Sequence, residues 1–183
     1  MLDSLATEKS FILAHLKEGD TAADFTMGNG YDTLFLSQTV GKSGHVYAFD
    51  IQKQALESTE KRLKMHEAFE NYTLILDSHH KAKEYIHEPI KACMFNLGYL
   101  PGSDKTVTTK HETTLEAIKA AVSLLAPDGI VLIAVYPGHK EGEIEGEMID
   151  EMLSKLDRHK YCCAKFRIIN SETSSYFFIV ESK

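Results

Sequence analysis

The chain has 183 residues, enough to bury a full core as one domain over 1–183 without needing a second. A net charge of −7 argues against a uniformly basic nucleic-acid surface and leaves a local positive patch as the route to nucleic acid. Cys93, Cys162 and Cys163 lack C-x-x-C spacing, which speaks against a zinc site or disulfide framework and for a reducing cytoplasm; with neither a basic-then-apolar leader nor an apolar run near the roughly 20 residues of a membrane span, a soluble, unprocessed protein is expected.

Strand and helix patterns alternate along the chain, with no repeat or linker between them. That alternation predicts an α/β fold, a mostly parallel sheet with helices on both faces. Leu2, Leu5, Ile12, Leu13 and Leu16 recur at helical spacing before Gly19 and predict a leading helix. Thr21 to Phe25 reads as the first strand. A helix is then expected from about Asp32 to Val40, a strand from His45 to Asp50, a helix from about Gln52 to His66, and strands over Tyr72 to Asp77 and Ala92 to Leu97. Thr109-Lys110-His111-Glu112 matches a capping box, and Leu115, Ile118, Val122 and Leu125 give one buried stripe that should stop at Pro127-Asp128-Gly129. Ile130 to Val135 is apolar throughout, as a central parallel strand should be. Ile144, Met148, Ile149, Met152 and Leu156 mark a last helix, and Lys165–Ile169 and Tyr176–Val180 read as β segments joined by Asn170 to Ser175.

The most informative segment is the loop after the first strand. Gly28 and Gly30 allow a tight turn and close backbone approach to a ligand, and Asp50 lies about 20 residues further on, where a strand-end carboxylate meets ribose hydroxyls. A dinucleotide site wants a third glycine five residues after the first; that position is Thr33. Asp32 would also repel a pyrophosphate. S-adenosylmethionine reverses the sign, because its ammonium and sulfonium are cations that Asp24 and Asp32 favour, while its carboxylate suits backbone N–H groups at a helix start.

Thr26 to Leu36, Val46 to Gln52, the block Phe95-Asn96-Leu97-Gly98-Tyr99-Leu100-Pro101-Gly102 and Tyr136-Pro137-Gly138-His139 resemble small bacterial class I methyltransferases once labelled rRNA methylases. The resemblance covers essentially the whole chain, with Tyr31 standing where that family's loop has histidine. It implies a Rossmann-like class I methyltransferase fold with a seven-stranded sheet and an antiparallel C-terminal strand. The implied activity is methylation of the 5-aminomethyl group of 2-thiouridine at the tRNA wobble position.

Ligands in such sheets sit beyond the carboxyl ends of the strands, where strand order reverses. Thr26, Met27, Gly28, Asn29, Gly30, Asp32 and Thr33 would hold the methionine part of the cofactor, Asp50, Ile51 and Gln52 the ribose, and Asp77, Ser78 and His79 the adenine edge; the family resemblance favours His79 there. Asn96 would orient the attacking amine through its amide oxygen, in a position where amino-methylating enzymes of this class carry Asn or Asp before Pro-Pro. Here Leu97-Gly98-Tyr99 follows, so that match is partial. Tyr99 would stack a base beside Gly98, and Tyr136 and His139 would form the opposite wall. Lys81, Lys83, Lys105, Lys110 and Lys140 would rim the pocket toward a tRNA anticodon loop, interleaved with Glu84, Asp104, Glu141 and Glu143. Neither DNA, membrane nor metal is expected, and a homodimer is compatible with the chain. Methylation of rRNA or a small molecule, cofactor binding without catalysis, and nicotinamide chemistry remain the alternatives.

Overall fold

In the computed structural model residues 4–97, 111–137, 140–171 and 174–183 are described. Seven strands form one sheet: β1 Thr21–Asp24, β2 His45–Asp50, β3 Tyr72–Leu76, β4 Ile90–Leu97, β5 Leu125–Val135, β6 Tyr161–Phe166 and β7 Tyr176–Ser182, in the order β3-β2-β1-β4-β5-β7-β6. The first five are parallel, and β7 runs antiparallel between β5 and β6. The chain builds outward from β1 to β3, then returns to place β4 on the other side of β1. This reversal opens a crevice at the carboxyl ends of β1 and β4.

The helices are α1 Ser4–His15, α2 Tyr31–Val40, α3 Lys53–Met65, α4 Ala82–Tyr85, α5 His111–Leu124 and α6 Lys140–Ser154. The sheet separates two apolar layers. Phe25, Phe49, Phe95, Ile118 and Ile149 belong to one, and Ile12, Leu36, Val46, Leu132 and Phe177 to the other. The Phe25 and Phe95 rings stack with centroids 4.4 Å apart directly behind the strand ends, giving the crevice a rigid apolar floor. Asn71 locks α2 from outside the helix. Its amide donates to the carbonyls of Ser37 and Gly41 and accepts the Ser37 hydroxyl, all buried.

Three expectations need correction. In α1, Ile12 and Leu16 are buried, but Leu5 and Leu13 are more than half exposed and Glu8 shares the buried face; Leu13 lies about 100° round from Ile12, and Leu5 sits in the first turn. The first of the two C-terminal β segments begins at Tyr161 rather than Lys165 and ends at Phe166, and Ile169 is almost fully exposed. An edge strand with both faces partly wet carries no alternation to detect. The helix expected to run to Pro127 ends at Leu124, and β5 already includes Pro127-Asp128-Gly129. Its pairing with β4 jumps from Ile90/Leu125 to Ala92/Ile130, and Asp128 takes φ 56° in the irregular stretch. A short 3-10 turn, His79–Lys81, and α4 fill the link between β3 and β4, where sequence periodicity signals neither. The capping residue Thr109 lies outside the described residues. Among those described, no helix is long and apolar enough to cross a membrane, and no group of side chains is arranged to hold a metal.

Candidate active site at the switch between β1 and β4

Asp24 ends β1 and is buried, 1% exposed. Its carboxylate accepts the Thr26 N–H at 3.0 Å and the Thr33 hydroxyl at 2.6 Å, so it folds the loop back onto α2. Burial, then the neighbouring Asp32 charge, pushes Asp24 up to about 7 despite these hydrogen bonds. Gly28 and Gly30 have φ 49° and 77°, in the left-handed region. A Cβ on Gly30 would lie 2.8 Å from the Cα of Thr59, so the turn is pressed against α3. Asp50, closing β2, accepts the Gly28 N–H at 3.1 Å and the Gln52 N–H at 2.9 Å. Each carboxylate oxygen can accept a further bond, as two ribose hydroxyls require. Burial raises the Asp50 carboxyl above its ordinary range, with these bonds opposing.

At the end of β4 the Asn96 N–H donates to the Thr26 hydroxyl at 2.7 Å, tying β4 to the turn. The Asn96 amide nitrogen donates to Asp32, and its oxygen accepts the Tyr136 hydroxyl at 3.0 Å. The amide is thereby oriented at both ends. Burial raises the Asp32 carboxyl, while Lys9 of α1 and the Asn96 bond oppose. Burial, then the charges of Glu8 and Asp32, pushes the Tyr136 phenol up to about 12, so it remains a donor at neutral pH.

Several residues assigned to ligand contact also bond within the fold. Met27 is buried with Ala48 and Ala55, and its N–H donates to the Phe49 carbonyl. The Thr33 side chain is fully enclosed. His79 is buried, and its Nδ1 lies 2.9 Å from the Phe25 carbonyl, which requires the proton on that nitrogen; burial lowers its pKa. Asp77 accepts from Ser78 N–H, Lys81 and the Tyr85 hydroxyl. Those partners, Lys81 first, hold it down to about 2. Lys81 is therefore an ion-pair partner, not a free cation of the rim. Ser78 pairs with His80, and Ile51 is exposed beside Asp50. Gly98, Tyr99, Lys105, Lys110 and His139 lie outside the described residues, as does the Lys140 side chain; Lys83 is exposed on α4.

The sequence reading missed Glu8, Thr59 and Arg62. Glu8 reads as a solvated helix residue by type, yet it is 2% exposed. Thr59 donates to the Gly28 carbonyl at 3.2 Å, and Arg62 Nε donates to the Asn29 carbonyl at 2.6 Å. Their i, i+3 spacing on α3 is the one signal that could have paired them.

The crevice suits a cationic nucleoside cofactor better than a pyrophosphate. Asp24, Asp32 and Asp50 converge on a turn with no third glycine, and burial leaves all three carboxyls short of compensating positive charge. Strand order, the antiparallel β7 and a glycine turn at the switch point define a class I methyltransferase fold. The chain belongs to the family described as "Putative rRNA methylase", whose model matches residues 46–181. It is 40% identical over 168 residues to the chloroplastic tRNA (mnm(5)s(2)U34)-methyltransferase of Arabidopsis thaliana, a match covering 85% of this chain and 60% of that protein. The chain thus spans about three fifths of this curated relative. A "putative rRNA-methylase" from Clostridium thermocellum superposes with TM-score 0.97 at 38% identity, covering 100% of this chain and 99% of that one. A "putative methyltransferase" from Streptococcus mutans, solved in complex with SAH, superposes with TM-score 0.91 at 34% identity, covering 100% and 99%.

Proposed function

We propose that this chain is an S-adenosylmethionine-dependent N-methyltransferase acting on the 5-aminomethyl group of 2-thiouridine at the tRNA wobble position. The observation that carries the reading is the oriented Asn96 amide, held between Asp32 and Tyr136 beside the glycine turn. The Arabidopsis relative supports the choice of nucleoside. Bound at the turn, the cofactor supplies an electrophilic methyl on a sulfonium whose sulfur leaves without needing a proton.

The protein's task is then positioning. Asp50 would take the ribose hydroxyls, and the Asn29 N–H and the start of α2 would take the carboxylate. The Asn96 oxygen has one lone pair on Tyr136 and one left for an N–H of the substrate amine. Accepting that N–H would orient the nitrogen lone pair of the substrate amine, the kind of positioning that gives such sites most of their acceleration. The aminomethyl group must arrive as the free base, because an ammonium has no lone pair to donate.

The test is incubation of the purified chain with S-adenosylmethionine and tRNA carrying 5-aminomethyl-2-thiouridine, followed by mass spectrometry of the nucleosides. The expected product is 14 mass units heavier at that nucleoside, about one CH2. Methylation of a small amine with the tRNA untouched would replace this reading with the small-molecule alternative, which the charge of −7 favours.

A further inference from the structure

The glycine turn is held from behind by α3. Arg62 Nε donates to the Asn29 carbonyl at 2.6 Å, and the Thr59 hydroxyl donates to the Gly28 carbonyl at 3.2 Å. In a trans peptide the carbonyl and the following N–H point in opposite directions. Drawing the Gly28 carbonyl toward α3 therefore turns the Asn29 N–H away from α3. Among the described residues none accepts from that N–H, whereas Gly30 N–H is spent on the Met27 carbonyl at 2.7 Å.

Arg62 is itself held by an aromatic ring. Its guanidinium carbon lies 3.5 Å from the centroid of Tyr31, the first residue of α2, and that ring is 63% exposed. A planar guanidinium can stack on a ring and donate in its own plane at once; a lysine ammonium cannot.

We propose that Arg62 and Thr59 are positioning residues for the cofactor, with Tyr31 as the ring that holds Arg62 in register. The proposal rests on the reading that the glycine turn holds the cofactor. Neither side chain touches the reacting atoms; both act through the Gly28 and Asn29 carbonyls. The effect belongs on cofactor affinity and not on methyl transfer once the cofactor is bound.

The experiment is calorimetric titration of the full chain with S-adenosylmethionine and with SAH, beside steady-state kinetics on tRNA. Arg62→Ala should weaken both ligands by about tenfold and raise the cofactor KM, with kcat at saturating cofactor within about twofold. Arg62→Lys, which keeps charge but lacks Nε–H, should behave like the alanine variant. Thr59→Val should give a smaller loss in the same direction. Tyr31→Ala should weaken binding, and Tyr31→Phe should restore it; this rescue separates ring stacking from a general folding defect and stays readable if Arg62→Ala does not fold. Asp50→Ala serves as the reference. If Asp50→Ala weakens binding while Arg62→Ala and Thr59→Val bind as wild type, the positioning role is overturned and the site reading stands. If Asp50→Ala also binds normally, the turn is not the cofactor site and both fail. A raised tRNA KM with cofactor affinity unchanged would make Arg62 an RNA contact and overturn the proposal.

Discussion

Asp24→Asn tests whether the buried carboxylate beneath the turn carries a proton when no cofactor is present. Asp24 is 1% exposed, sits among Asp32 and Asp50, and has a pKa raised to about 7 from 3.8. A group whose folded pKa is raised stabilises the fold fully below its unfolded value, and that contribution is lost as pH rises through the folded value. Between roughly pH 4.5 and 6.5 the native state keeps a proton that the unfolded chain has released, so Asp24 should cost stability at about 1.4 kcal/mol per pH unit. Over those two units the wild type should lose about 3 kcal/mol relative to Asp24→Asn, which cannot titrate. Above about pH 7.5 the difference should level off. Urea unfolding of both proteins at half-unit pH steps measures it, and the subtraction removes His79, whose lowered pKa acts with the opposite sign near pH 6.5. With S-adenosylmethionine bound, the cation favours the ionised carboxylate and the slope should shrink, so cofactor affinity rises with pH through the same window. A wild-type minus variant difference flat from pH 4.5 to 7.5 would refute the argument and mean that Asp24 is ionised in the free protein.

Asn96→Ala should lower kcat by roughly 10²-fold while the S-adenosylmethionine dissociation constant stays within a factor of about three, since the amide is assigned to the amine and not the cofactor; single-turnover kinetics with calorimetry decides, and a main loss in cofactor affinity would reassign the residue. Asn71→Ala strips three buried hydrogen bonds from the end of α2 and should cost about 2–3 kcal/mol, a fall in Tm of roughly 4–12 °C by calorimetry; a smaller fall would show that water replaces the amide. Activity on tRNA should rise toward mildly alkaline pH as the substrate amine loses its proton, and a profile flat from pH 7 to 9 would count against an amine acceptor. Affinity for tRNA should fall with salt by about 0.7 to 0.9 in log-log slope per phosphate contact, and removal of Lys105 or Lys110 should flatten the dependence; an unchanged slope would exclude them from the interface.

Local patterns in the sequence determined the helix and strand alternation, the position of the glycine turn and the carboxylate closing β2. Each depends on residues within one turn or one strand: left-handed glycines, apolar runs, a strand-end aspartate. The site's wiring depends on contacts between distant segments, and here only the tertiary structure decides. Asn96 reaches Thr26 across 70 residues and Asp32 across 64, so nothing local shows that its amide is held at both ends. The same distance hides which carboxylates are free. Asp24, Asp50 and Asp77 all end or follow strands, yet Asp77 is neutralised by Lys81 and Asp24 is enclosed under the turn, leaving Asp50 with capacity for a ligand. By type Glu8 and Arg62 read as solvated helix residues, and only the tertiary structure buries Glu8 and brings Arg62 to the Asn29 carbonyl. The edge strand β6 escaped for the complementary reason: with one neighbour and two wet faces, its sequence is under too little burial to alternate.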